Sequence, residues 1–156
     1  MDKLLKNIAK LLIKHRYTLS VCESCTGGML GSIITTMPGS SKYFLGGIIA
    51  YTNKVKIKIV GVRAVTLKKY GAVSAQVAQA MAKNIRKNLR SDIGIGITGI
   101  AGPGGSTKQK PVGLVYIALA KKSKTIVRKF RFKGNRDTIR KKACLEALRI
   151  LSCFCH

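Results

Sequence analysis

Three features of this 156-residue chain predict a layered α/β fold with a mixed sheet. Helical and strand-like patterns alternate along most of its length, the arrangement that stacks helices on a sheet. Two loops of small residues each follow a short apolar run: Glu23-Ser24-Cys25-Thr26-Gly27-Gly28 after Leu19 to Cys22, and Thr98 to Gly105 after Ile93 to Ile97. Near the end, two strand patterns flank a short basic turn, a hairpin that brings antiparallel pairing into the sheet.

The elements follow in order. Lys3 to His15 places Leu4, Leu5, Ile8, Leu11 and Leu12 on a helical stripe, and Thr18 to Cys22 reads as a short buried strand. Thr26 to Thr36 reads as a helix with Gly27 and Gly28 in its first turn. Met37 to Ser41 is a turn, and Gly46 to Tyr51 is a strand followed by a helix from Asn53 to Val60. After a break at Gly61-Val62-Arg63 come a short helix, Val65 to Tyr70, and a long one, Ala75 to Leu89. Ile93 to Ile97 alternates isoleucine with glycine as a central strand. Val112 to Ala120 and Thr125 to Phe132 form the hairpin about Lys121 to Lys124, and Asn135 caps a last helix from Asp137 to Leu151. With no repeat or linker and 46% hydrophobic residues, residues 1–156 are expected to form one domain with a real core.

Composition removes several chemistries. The chain has five carboxylates, Asp2, Glu23, Asp92, Asp137 and Glu146, and two histidines, His15 and His156, neither placed as a central acid-base group. Paired-carboxylate hydrolysis, histidine-metal hydrolysis and a Ser-His-Asp triad all need groups that are barely present, so no metal or cofactor is expected. Serine, threonine, tyrosine, cysteine and lysine remain, and a hydroxyl nucleophile with a lysine base is a recognised variant of triad chemistry. The five cysteines are an odd number and read as reduced thiols. Cys22-Glu-Ser-Cys25 has redox-motif spacing and Cys153-Phe-Cys155-His156 a metal-like one, but both lack specific flanks.

The net charge of +25 attracts nucleic acid without specifying a site, because the basic residues are scattered over nearly every element. Nine aromatics without tryptophan form no stacking ladder, so the expectation is non-specific nucleic-acid adhesion. Charges or glycines interrupt every apolar run short of membrane length, and the start lacks a signal-peptide pattern. A cytoplasmic protein without a membrane partner is expected.

Each glycine loop leaves a strand, and the first opens a helix. Unpaired N–H groups at a helix start carry partial positive charge, so this loop reads as an anion site, against the plainer reading of an ordinary helix cap. The second loop reads as a phosphate cradle or oxyanion hole. By residue type alone, Ser41 reads as a turn cap and Lys56 as a solvated helix lysine.

Seven stretches stand out in order along the chain: Glu23 to Gly28, Pro38-Gly39-Ser40-Ser41, Tyr51-Thr52-Asn53 with Lys56, Gly71-Ala72-Val73-Ser74, Thr98 to Pro103, Lys110-Pro111-Val112-Gly113, and Gly134 with Arg136. Through them the chain resembles, over nearly its whole length, the C-terminal domain of the competence-damage-inducible CinA proteins. The resemblance implies a three-layer α/β/α fold, a homo-oligomer (most simply a dimer), and hydrolysis of the carboxamide of nicotinamide mononucleotide to nicotinate mononucleotide and ammonia. It implies Ser41 as nucleophile, Lys56 as general base and Tyr51 as a polar partner, with the choice between Ser41 and Ser24 open. Ser24, Thr26, Gly27, Gly28, Thr98, Gly99, Ala101 and Gly102 are implied to hold the substrate, and Arg136 its phosphate. Lys54, Ala75 and Asn135 depart from the acidic residues usual in the family at those places. The rival expectation is a basic nucleic-acid-associated or competence-related module that keeps the fold without amidase activity.

Overall fold

Five strands and six helices build the chain around one sheet, seen in a computed structural model that describes Asp2 through Cys155. The His156 end of the Cys153-Phe-Cys155-His156 run lies outside the described residues. Helix α1 is Asp2–Lys14, β1 Leu19–Glu23, α2 Met29–Thr35, and a single 3-10 turn spans Ser40–Lys42. Then come β2 (Phe44–Ile49), α3 (Asn53–Lys58), α4 (Ala64–Tyr70) and α5 (Ala75–Asn88). Strands β3 (Ile93–Gly99), β4 (Leu114–Ala120) and β5 (Thr125–Arg131) precede α6 (Arg136–Phe154).

The sheet order is β2-β1-β3-β4-β5. β1 pairs in parallel with both β2 and β3, while β4 runs antiparallel to β3 and to β5. The mixed sheet is therefore present, and the hairpin supplies its antiparallel half. Parallel pairing has a direct consequence: β1, β2 and β3 all end on the same side of the molecule. In open α/β sheets the crevice outside such carboxyl ends is where ligands bind.

Each face of the sheet is covered, giving three layers. Leu19 and Val21 of β1 and Ile93, Ile95 and Ile97 of β3 join α1, α2 and α6 in one apolar core. Cys22 of β1 joins Val77, Met81 and Ile85 of α5 on the other face. The alternation in β3 explains how α5 sits so close. A Cβ on Gly94 would collide with the Ala82 carbonyl, and one on Gly96 with the Ala78 carbonyl. Isoleucine thus fills one core, and glycine lets a helix backbone lie on the other side.

Some boundaries differ from the pattern reading. α2 begins at Met29, not Thr26, because Gly27 and Gly28 take φ of 59° and 93°, the left-handed region that an α-helix cannot contain. β2 begins at Phe44, two residues early, and its shifted pairing with β1 falls between Leu19 and Ser20. α6 runs on to Phe154 because Ala147, Leu148, Leu151 and Phe154 stay in the core. Among the described residues no helix is long and apolar enough to cross a membrane.

Candidate active site

The three parallel strands deliver three segments to one crevice. Ser24 follows β1, Tyr51, Asn53 and Lys56 follow β2, and Gly99, Ile100, Ala101, Gly102, Gly104 and Gly105 come from the end of β3 and the loop after it. Together with Arg136, at the start of α6, and Ala72 and Val73 before α5, they line a cavity of about 270 Å³.

Lys56 lies at the centre of this site. It sits in α3, whose first turn is capped by the Thr52 hydroxyl accepting from the Val55 N–H. The side chain is 1% exposed, not solvated as its residue type suggests. Its Nζ is 3.0 Å from Ser24 Oγ, 2.7 Å from the Ala50 carbonyl and 3.1 Å from the Tyr51 carbonyl. Among the described residues no carboxylate is a hydrogen-bond partner of this amine. Burial therefore pulls the Lys56 pKa below the ordinary lysine value. The neighbouring thiols do not restore a counterion, because burial pushes Cys22 and Cys25 up to about 12 and leaves them uncharged near neutral pH.

Without its extra proton, the amine has two N–H bonds and one lone pair. Carbonyls only accept, so Ala50 and Tyr51 take both hydrogens and the lone pair is left facing Ser24. The serine hydroxyl then donates to Nζ. That is the geometry of a base holding the proton of its nucleophile.

Ser41 is elsewhere. It lies exposed in the 3-10 turn before β2, whereas Lys56 follows β2, so the six residues of that strand stand between them. At about 3.3 Å per residue they sit roughly 20 Å apart along the sheet. The lysine is paired with Ser24.

The first glycine loop is also arranged differently from the anion-site reading. Glu23 turns its carboxylate onto the start of α2, accepting from the N–H groups of Gly28 (3.0 Å), Leu30 (3.1 Å) and Gly31 (2.8 Å). This chain's own anion fills the place assigned to a ligand, and Gly27 and Gly28 do not line the cavity. Thr26 does not line it either. Its hydroxyl is fully buried with no partner among the described residues, and its carbonyl accepts from Arg140 Nη2 at 2.8 Å. These three residues shape the turn that presents Ser24.

The second loop is at the cavity: Thr98, Gly99, Ala101 and Gly102 all line it. The Thr98 hydroxyl donates to the Ala72 carbonyl at 2.9 Å and so ties the loop to the segment before α5. Among the described residues the N–H groups of Ala101 and Gly102 have no acceptor. Arg136 closes the mouth, donating to the Gly102 carbonyl at 2.6 Å and to the Tyr51 hydroxyl at 2.9 Å. Tyr51 thus contributes twice, by its carbonyl to Lys56 and by its ring at the rim. Asn53, Val73 and Ile100 also line the cavity; the sequence assigned them no role, and only their place within the matching motifs hinted at one. Among the described residues no His, Cys, Asp or Glu side chains cluster as a metal site.

Comparison with known proteins agrees with this architecture. The family described as the CinA C-terminal domain matches residues 1–155. A CinA-like protein of Thermosynechococcus vestitus is 50% identical over 153 residues, covering 96% of this chain and 37% of that protein. The chain thus spans about a third of the length of the curated relatives it matches. Among solved structures, the competence/damage inducible protein CihA from Agrobacterium tumefaciens superposes with a TM-score of 0.96 at 34% identity, over 99% of this chain and 94% of that one. A competence-damaged protein (CinA) superfamily protein from Klebsiella pneumoniae gives 0.95 at 29% identity, covering 98% and 96%.

Proposed function

Because the chain belongs to the CinA C-terminal domain family, we propose that its cavity hydrolyses the carboxamide of nicotinamide mononucleotide, with Ser24 as nucleophile and Lys56 as general base. The observation that carries this reading is the buried, carboxylate-free contact between Lys56 Nζ and Ser24 Oγ at 3.0 Å.

Ser24 Oγ attacks the amide carbon while its proton passes to Lys56. The oxyanion forms near the unpartnered N–H groups of Ala101 and Gly102, the donors this kind of intermediate needs. Lys56 returns the proton to the nitrogen, and ammonia leaves an acyl-serine. Water, deprotonated by Lys56, then releases nicotinate mononucleotide and restores the hydroxyl. The cavity falls just under the ~300–1,000 Å³ typical of pockets that enclose drug-sized ligands. It suits the ring and amide, with ribose and phosphate at the mouth beside Arg136.

The test is ammonia release from nicotinamide mononucleotide by the purified chain, with Ser24→Ala and Ser41→Ala in parallel. Ser24→Ala should lower turnover by ~10³ or more, with little change in substrate binding, as when a transition-state interaction is removed. Ser41→Ala should stay near the parent. Loss of activity in Ser41→Ala with retention in Ser24→Ala would reverse the assignment, and an inactive parent would remove the substrate.

A further inference from the structure

At the opposite end of α5 lies a second cavity, of about 440 Å³. Ala72 and Val73 of the first cavity lie just before α5, whereas the second is lined by residues of the helix between Gln79 and Lys87 and by the β4–β5 turn. Lys83, Arg86 and Lys87 come from α5, and Lys121, Lys122 and Lys124 from the turn. Six cations line one concavity. The remaining lining residues are uncharged and polar; none is a carboxylate, an aromatic or an aliphatic side chain.

Local structure accounts for only part of this. Arg86 and Lys87 offset the negative end of α5. Lys121 donates to the Phe154 carbonyl at 2.9 Å and lies 4.5 Å from the centre of the Tyr17 ring. Lys83, Lys87 and Lys122 are exposed and have no hydrogen-bond or ion-pair partner among the described residues. Asp92, a nearby carboxylate in sequence, is turned to the Thr18 N–H and hydroxyl instead. Gathering like charges into a concavity without counterions is unfavourable unless something anionic enters.

We propose that this cleft docks the phosphodiester backbone of double-helical nucleic acid. Six cations drawn from two elements exceed what a single phosphate neutralises and match several phosphates of a backbone. The lining has no aromatic ring to stack an unpaired base, which disfavours single strands. It also has no apolar side chain to enter a bilayer, and the large exposed hydrophobics belong to other elements: Ile13 to α1, Leu45 and Ile49 to β2, Tyr51, Ile57 and Ile59 to the α3 region, and Val65 and Tyr70 to α4. Interactions of this kind hold the backbone without reading bases. No residue lines both cavities, so this docking does not rest on the reaction proposed above.

The test is binding of the full chain to a short labelled DNA duplex of mixed sequence over a salt series. The triple variant Lys83→Gln, Lys87→Gln, Lys122→Gln is compared with Lys3→Gln, Lys6→Gln, Lys10→Gln on α1, which removes the same charge from exposed positions across the sheet. The cleft variant should bind at least ~10-fold more weakly at low salt, and its plot of log affinity against log salt should be shallower by about 0.9 for each phosphate no longer neutralised. The α1 variant should weaken by less than ~3-fold, as a purely global effect of charge. If the triple variant does not fold, Lys83→Gln and Lys122→Gln singly should each lower the slope by about 0.9. Equal weakening in the cleft and α1 variants would overturn the proposal. So would cleft-dependent binding to phosphatidylserine vesicles without binding to the duplex.

Discussion

At Lys56 the three polar neighbours of Nζ are of two kinds: two carbonyls that only accept and one hydroxyl that can also donate. The proton on this amine therefore sets the chemistry. Its pKa is lowered by burial, so kcat/KM should rise with pH through an apparent value below the ~10.4 of a free lysine. Lys56→Arg should abolish turnover at every accessible pH, because a guanidinium does not give up its proton. A pH–rate profile of both proteins checks this; a flat parent profile would contradict it. Stability carries the same sign. Between the lowered folded value and the ordinary one, the folded chain binds fewer protons than the unfolded chain, so stability rises with pH. Urea titrations should show the parent gaining on Lys56→Met across that window.

Two elements depend on single interactions that can be removed. The start of α2 rests on Glu23, which is 1% exposed and accepts three N–H groups. Glu23→Ala leaves those donors without partners and should cost ~2–4 kcal/mol by chemical denaturation, in line with the removal of caps and charged hydrogen bonds. Turnover should fall as well, because Ser24 is the next residue. α5 rests on β3 through glycine. Gly96→Ala puts a Cβ against the Ala78 carbonyl and 2.6 Å from the Ala82 nitrogen, both backbone atoms. Overpacking of this kind should cost ~1–3 kcal/mol or more. An unchanged urea midpoint would mean that α5 has room to shift.

Across the whole molecule, charge acts against compactness. Thirty basic residues meet five acidic ones, and the two ion pairs among the described residues, Asp137–Lys141 and Glu146–Arg149, both lie on α6. Self-repulsion between exposed lysines is long-range and is screened over about 10 Å at 0.1 M salt. The melting temperature should therefore rise as sodium chloride increases from about 10 mM to about 0.5 M, against the small change expected of a charge-balanced domain. Thermal unfolding followed by circular dichroism measures it; a fall with salt would show that attractive pairs dominate.

Much of this was legible in the chain itself. Alternating patterns located every helix and strand, and the Ile-Gly alternation at Ile93 to Ile97 marked a strand with two unlike faces. Small-residue loops at the strand ends pointed to a site, and Lys56, Tyr51, Arg136 and the Thr98 to Gly102 loop reach the same cavity. The sequence even held a warning about Ser41. A residue before a strand and one after it must lie at opposite ends, and a strand pattern separates Ser41 from Lys56. What a linear pattern cannot supply is strand order. Only the order β2-β1-β3, with parallel pairing, sets the end of β1 beside the segment after β2 and so places Ser24 on Lys56. The same packing buries the lysine amine without a carboxylate partner among the described residues and turns Glu23 onto α2, because desolvation and partner choice arise from neighbours that are set by the fold.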